Sequence, residues 1–381
     1  MEKLLKQFDL SYASPVKNPY IQKWREQGGG VFGYLCNVPK EIIFAAGLFP
    51  VRLLGTTETL LEADVYFPAI FCHYSRSLVE VWIKGEHQLL LGVASINMCD
   101  TIVHVSNALQ SSLKEKPLYF INRPHDSEAK GAHAFFGHEL SKFKKYLEGL
   151  IGGEITSEAL RRSIQVYNKN RIMLKEIYNL RGKPEFPLLT GAAVNTLALI
   201  SQVIPPEVNS QLLSRIIELT RKQAKPIVHK GPRIHVSGSI LQDLSFFSLV
   251  EQCGGIVVSD DLCSGSRHFS ELVPETGDPL EELTDFYLKK ISCPVIHEKG
   301  IEERRLAEIL SIVQEYRADG VIFCIPKYCD SHQLDLPYLK ESLQEFGIPV
   351  LTLEVDRLTA SEQIRARISA FFEILEQSKR A

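Results

Sequence analysis

Twice along this chain a short apolar run leads into a small polar turn, a helix stopped by glycine and a second apolar run, and few folds accept that order. The first instance opens with Val31-Phe32-Gly33-Tyr34-Leu35. Asn37 is then expected to cap a helix with Pro39 and Glu41 in its first turn, Gly47 stops it, and residues 49–54 form the next strand. The second instance uses residues 233–237, the tight turn Gly238-Ser239, a helix over 241–253, the stop Gly254-Gly255 and a strand at 256–258. A helix between two such strands returns the chain to the same end of a sheet, so the strands pair in parallel. Further strands are predicted at 92–96, 117–121, 320–324 and 349–353, and helices at 73–84, 157–180, 192–203, 206–225, 279–290, 301–318, 335–346 and 361–377. The fold class is therefore α/β, with open parallel sheets wound on both faces. With 381 residues, two domains are expected: residues 1–30 as a helical extension, 31–150 as the first α/β domain, 151–228 as a helical connecting segment and 229–381 as the second.

Composition removes several function classes. The net charge of −3 supplies no positive field for nucleic acid or an anionic membrane, so neither is expected as a partner. No apolar run approaches the roughly 18 residues that span a bilayer. The start, Met1-Glu2-Lys3-Leu4-Leu5-Lys6, has no apolar leader region, and a cytoplasmic location is expected.

In that compartment eight cysteines need a reason other than disulfides. Ligands of open α/β sheets bind beyond the carboxyl ends of the strands. Six of the eight fall there or at other element ends: Cys36, Cys72, Cys99, Cys263, Cys293 and Cys329. Cys253 closes an apolar helix and Cys324 lies inside an apolar strand, so both are expected in the core. Buried structural thiols, an activated catalytic thiol and metal ligation are the readings for the other six. Thiolate ligation accounts best for so many on loops. No close C-x-x-C pair is present, which counts against zinc, and catalysis by a reactive thiol needs one cysteine rather than six.

The segment Gly33-Tyr34-Leu35-Cys36-Asn37-Val38-Pro39-Lys40-Glu41, running on to Ala45-Ala46-Gly47, resembles the opening motif of the benzoyl-CoA reductase and 2-hydroxyacyl-CoA dehydratase superfamily. The likeness continues through Phe71-Cys72, Arg76-Ser77, Cys99-Asp100, Val236-Ser237-Gly238-Ser239, Lys327-Tyr328-Cys329-Asp330 and residues 347–356. It implies two flavodoxin-like domains with a 4Fe–4S cluster in the cleft, held by a trio matching Cys72, Cys99 and Cys329. It also implies an ATP-hydrolysing iron–sulfur partner that injects low-potential electrons, which the dehydratases use to make a ketyl radical on a CoA thioester. Cys36, Cys263 and Cys293 add a second set of three. Six ligands are similar to the double-cubane proteins of the superfamily, homodimers in which an 8Fe–9S centre reduces small molecules.

The expected activity is thus that of an iron–sulfur reductase acting on a small molecule. The 4Fe–4S subunit of a dehydratase is the alternative, and a non-catalytic electron carrier or binding module a further one. Near the cysteines, Glu41, His73, Arg76 and Lys327 are candidates to tune a cluster, with His73 or Glu41 able to deliver protons. Glu41 could equally serve the helix dipole, and Arg76 could pair at the surface. Gly238-Ser239 could cradle an anion, although it lacks a full glycine fingerprint.

Overall fold

The computed structural model describes residues 13–113, 115–182, 187–223, 225–243, 245–355 and 362–378. The helix expected over the first 30 residues lies partly outside that set. Within it, helix α1 spans Pro19–Glu26, and the Asn18 side chain accepts from the N–H of Tyr20 at 3.0 Å.

The first sheet contains β1 (Val31–Tyr34), β2 (Phe49–Arg52), β3 (Gly92–Ile96) and β4 (Leu118–Ile121), ordered β2-β1-β3-β4 with every pair parallel. Its helices are α2 (Lys40–Ala45), α3 (His73–Ile83), α4 (Asp100–Ser111) and α5 (Ala132–Ile151). Three long helices follow: α6 (Ser157–Gly182), α7 (Gly191–Ile200) and α8 (Pro206–Gln223). The second sheet contains β5 (Arg233–Gly238), β6 (Ile256–Asp261), β7 (Gly320–Pro326) and β8 (Val350–Val355), ordered β6-β5-β7-β8 and again parallel throughout. Its helices are α9 (Ser245–Gln252), α10 (Pro279–Asp285), α11 (Ile301–Glu315), α12 (Asp330–Glu345) and α13 (Glu362–Ser378). The protein is an α/β structure with two flavodoxin-like sheets, as expected.

Strand periodicity explains why both faces of each sheet are covered. In β1, Phe32 and Tyr34 join the core under α2 and α5, while Val31 and the following Leu35 join the core under α3 and α4. In β7, Ile322 and Cys324 face α9 and α13, whereas Val321, Phe323 and Ile325 face α11 and α12. In each sheet the chain reverses its direction of winding beside the first strand, leaving a crevice between the carboxyl ends of β1 and β3 and another between those of β5 and β7.

Two boundaries differ from expectation where the cysteines sit. The N-cap of α2 is Pro39 rather than Asn37, because Cys36 takes a left-handed φ of 53° and the chain spends one more turn before becoming helical. Helix α12 begins at Asp330, five residues before the expected start, and keeps Pro337 inside it. The carbonyl of Cys329 accepts from the N–H groups of His332 and Gln333 at 3.1 and 3.0 Å, which starts the helix ahead of the proline.

Helix α6 ties the sheets together. Near its middle, Arg171 Nη2 lies 2.5 Å from Glu41 Oε1 of α2, and Ser163 Oγ donates to the Glu41 carbonyl at 2.7 Å. At its end, Arg181 Nη1 meets Asp260 Oδ2 of β6 at 3.1 Å, with both side chains fully buried. Removing one member of a buried pair strands the other charge in a low-dielectric interior. Arg181→Met should therefore destabilise the fold by about 3–5 kcal/mol, read as a lower denaturant midpoint for loss of helical circular dichroism.

Candidate functional site

The six loop cysteines gather where the strand ends of the two sheets face each other. Cys36 lies two residues beyond β1. Cys72, Cys99 and Cys329 are the N-cap residues of α3, α4 and α12, so three helix amino ends point partial positive charge toward thiols. Cys263 lies two residues beyond β6, and its N–H donates to the carbonyl of Ser239 at 3.3 Å. Cys293 follows the π-helical turn Phe286–Lys290 that continues α10. Cys36 and Tyr328, the neighbour of Cys329, are two of three described non-glycine residues with positive φ, so the backbone is strained at both crevices. Gly238 permits the close approach of β5 and β7 there: a Cβ on it would lie 2.1 Å from the carbonyl oxygen of Cys324.

Mutual repulsion maps which thiols are neighbours. Burial first, then Cys293, Cys99 and Cys263, hold the Cys36 thiol well above its ordinary pKa. Cys293 is raised by burial and then by Cys263. Cys329 is pushed up to about 12 by burial, then by Cys72 and Cys99, and is eased by a hydrogen bond from Ser239. Cys99 is raised chiefly by burial, with Thr101 opposing and Cys72 and Cys263 adding to the rise. These repulsions join Cys36 to Cys293, Cys99 and Cys263, Cys263 to Cys293 and Cys99, and Cys72 to Cys99 and Cys329, so the six thiols form one continuous group with Cys99 at its centre. The other two stand apart. Cys324 is buried in β7, and Cys253 lies after α9 with its sulfur 3.9 Å from the Arg365 carbonyl.

Buried cations surround the thiols. Arg267 Nη1 donates to Cys263 Sγ at 3.3 Å and to the Gly238 carbonyl at 3.0 Å, while Nη2 binds Asp261 Oδ2 at 2.8 Å. The same Nη1 lies 3.3 Å from His332 Nε2, one turn into the helix that Cys329 caps, so Arg267 links Cys263 to that helix. Arg52 Nη1 donates to the Cys263 carbonyl at 2.9 Å. Arg305, paired with Asp335, is lowered to about 10 by burial and then by Arg267, with the thiols of Cys293 and Cys263 countering. Arg123 is lowered by burial, with Cys293 countering most strongly. Asp261 and Asp335 offset Arg267 and Arg305, whereas among the described residues no carboxylate pairs with Arg123, and an anionic group at the thiols would be compensated there. Among the described residues no three His, Cys, Asp or Glu side chains converge as a single bound ion requires.

The structure scatters the other sequence-predicted residues. Glu41 is fully buried, accepting from Arg171 and, at 2.7 Å, from the Tyr287 hydroxyl. Burial alone would raise its pKa, but Arg171, Lys40 and the Tyr287 hydrogen bond outweigh it and hold the carboxyl below the usual value. His73 is the first residue of α3 and half-buried, Arg76 pairs with Asp64, and Lys327 is exposed with its N–H on the Val355 carbonyl at 2.8 Å. Unforeseen were Arg52, Lys40, Arg171, Arg267 and His332. Arg52 had one signal, a charge ending the apolar strand Phe49–Arg52.

The fold and the cleft define a pair of flavodoxin-like α/β domains whose strand ends share one thiol-rich site. The chain belongs to the 2-hydroxyglutaryl-CoA dehydratase D-component family, whose description matches residues 35–375. It is 27% identical to the (R)-phenyllactyl-CoA dehydratase beta subunit of Clostridium sporogenes, over 94% of this chain and 96% of the relative. It is 26% identical to a component of benzoyl-CoA reductase from Thauera aromatica, over 87% and 88%. Identity to the beta subunit of (R)-2-hydroxyglutaryl-CoA dehydratase from Acidaminococcus fermentans is also 26%, over 98% and 99%. The relatives are components of enzymes, in agreement with the resemblance read from the sequence. Among the described residues no helix is long and apolar enough to cross a membrane.

Glu41→Gln leaves Arg171 buried without its anion, and should destabilise the protein by about 3–5 kcal/mol at neutral pH. Because the folded pKa of Glu41 is depressed, its contribution is complete above the ordinary value of 4.5 and is lost as pH falls below it. The gap between wild type and variant, followed by denaturant melts across pH, should be flat near neutrality and narrow in acid.

Proposed function

We propose that this chain is the iron–sulfur-bearing component of a two-component, ATP-dependent low-potential enzyme, with its six cleft cysteines ligating a double-cubane 8Fe–9S centre that serves reduction of a small molecule. The observation that supports this reading is the gathering of six cysteines, each within electrostatic reach of others, at the facing strand ends of the two sheets. When bound, such a group supplies electrons at low potential. The chain's own part is ligation, charge compensation and exclusion of water. Cys36, Cys263 and Cys293 would hold one cubane, and Cys72, Cys99 and Cys329 the other. The amino ends of α3, α4 and α12 lie at Cys72, Cys99 and Cys329 and would complement negative charge on a bound group. Arg267, with a donor on Cys263, and Ser239, against Cys329, place N–H and O–H groups where sulfur carries negative charge. The superfamily resemblance adds an ATP-hydrolysing iron–sulfur activator as electron donor and a homodimeric assembly. A cytoplasmic, anaerobic setting belongs to the same proposal, since free thiols need a reducing compartment.

A second reading is the 4Fe–4S subunit of a 2-hydroxyacyl-CoA dehydratase, using Cys72, Cys99 and Cys329. The comparisons back it better than the reductase reading, because the matching family and two of the three relatives above are named as dehydratases. The benzoyl-CoA reductase component keeps reduction within the range of the relatives. Iron and acid-labile sulfide per chain after anaerobic purification separate the two. About eight irons, falling in both Cys36→Ser and Cys263→Ser, is the result expected. About four, unchanged in those variants, would transfer the assignment to the dehydratase, and none would overturn both readings.

A further inference from the structure

A small chamber adjoins Cys36 between the two sheets, lined by Lys40, Arg52, Arg171 and Arg267 together with Tyr34 and Tyr287. Arg52, Arg171 and Arg267 are 4%, 3% and 8% exposed, so their guanidinium groups are effectively inside the protein. Each keeps a buried Nε–H with no hydrogen-bond partner. No Asp or Glu contributes to the described lining. Arg171 is balanced by Glu41 and Arg267 by Asp261, but among the described residues Arg52 and Lys40 have no carboxylate within ion-pair distance. Lys40 Nζ instead lies 5.2 Å from the centre of the Tyr167 ring. Burial first, then Arg171, lower its pKa to about 7, with Glu41 opposing and Arg52 adding to the fall.

We propose that this chamber is a binding site for a small monoanion, held by Arg52 and Lys40 and completed by the unpartnered N–H groups of Arg171 and Arg267. A water molecule could accept from one or two of these donors, but it supplies no charge to offset the buried Arg52 guanidinium. An anion does both, and its hydrogen bonds to guanidinium are charge-assisted. Size restricts the class. The interior offers ≈ 20 Å³ to the centres of water-sized molecules, little more than one water requires, so ligands of about one to three heavy atoms fit. A phosphate ester or an acyl-CoA does not. The binding claim concerns this chain's own residues and holds with or without a cluster. That the same chamber admits a small anionic substrate or inhibitor beside Cys36 rests on the function proposed above.

Thiocyanate is a suitable probe, being linear, weakly hydrated and reported by its infrared nitrile stretch. It should give a saturable bound band in both the metal-free and the iron-loaded protein, and bromide should displace it whereas sulfate should not. Arg52→Met and Lys40→Met, checked for native circular dichroism, should each weaken binding by about tenfold or more. Lys40 is only half-buried, so its variant keeps the test valid if loss of Arg52 impairs folding. No saturable band, or one unaffected by either substitution, would overturn the proposal. So would a band confined to the metal-free form, which marks the cluster's own seat, or to the loaded form, which marks ligation to iron. Iron content measured on the same samples tests the function separately: a failed anion site on a chain with about eight irons leaves the double-cubane reading standing.

Discussion

The arrangement depends on helix α6 holding the two sheets by buried charge. Arg171 fastens it to Glu41 on the first α/β unit, and Arg181 fastens it to Asp260 on the second. These contacts lie ten residues apart on one rigid helix, so they set how the carboxyl ends of the two sheets face each other. Apolar packing could join the same elements with less directional control. An ion pair in a low-dielectric setting tolerates little displacement, and here two of them frame the cleft.

Inside that frame the structure accumulates groups that do not stabilise an isolated chain. Thiols raised by burial and by one another face guanidinium groups with too few carboxylates. Left-handed backbone at Cys36 and Tyr328 adds strain at the same place. Frustration of this kind is expected where a protein is built around something it binds, since the charges are arranged for the complex. Arg267 makes this concrete, because one side chain touches Cys263, Gly238, Asp261 and His332 and so couples both sheets to the thiols.

Much of the fold was legible because its signals are local. The apolar run at β1, the stop at Gly47 and the strand at β2 each follow from periodicity and turn chemistry within a few residues. The cap of α2 and the start of α12 differ from expectation beside Cys36 and Tyr328, two residues whose positive φ no local sequence pattern signals. The cysteine addresses were legible too, since strand ends can be read from sequence and ligands gather there. The electrostatic surround was not. Arg52, Arg171 and Arg267 come from a strand end, a connecting helix and a loop, and no spacing relates them.

By itself the sequence determined the two parallel sheets, the loop positions of six cysteines and the superfamily, all of which are written in short-range pattern and motif. Only the tertiary structure decided which thiols are neighbours, and that Glu41 is a locked partner of Arg171 and Tyr287 rather than a free carboxylate at a helix start. It alone set the cations beside a chamber at Cys36. The physical reason is range. Helix and strand formation answer to neighbours a few residues away, whereas the energy of a buried charge answers to whatever the fold brings within several ångström, however distant in sequence.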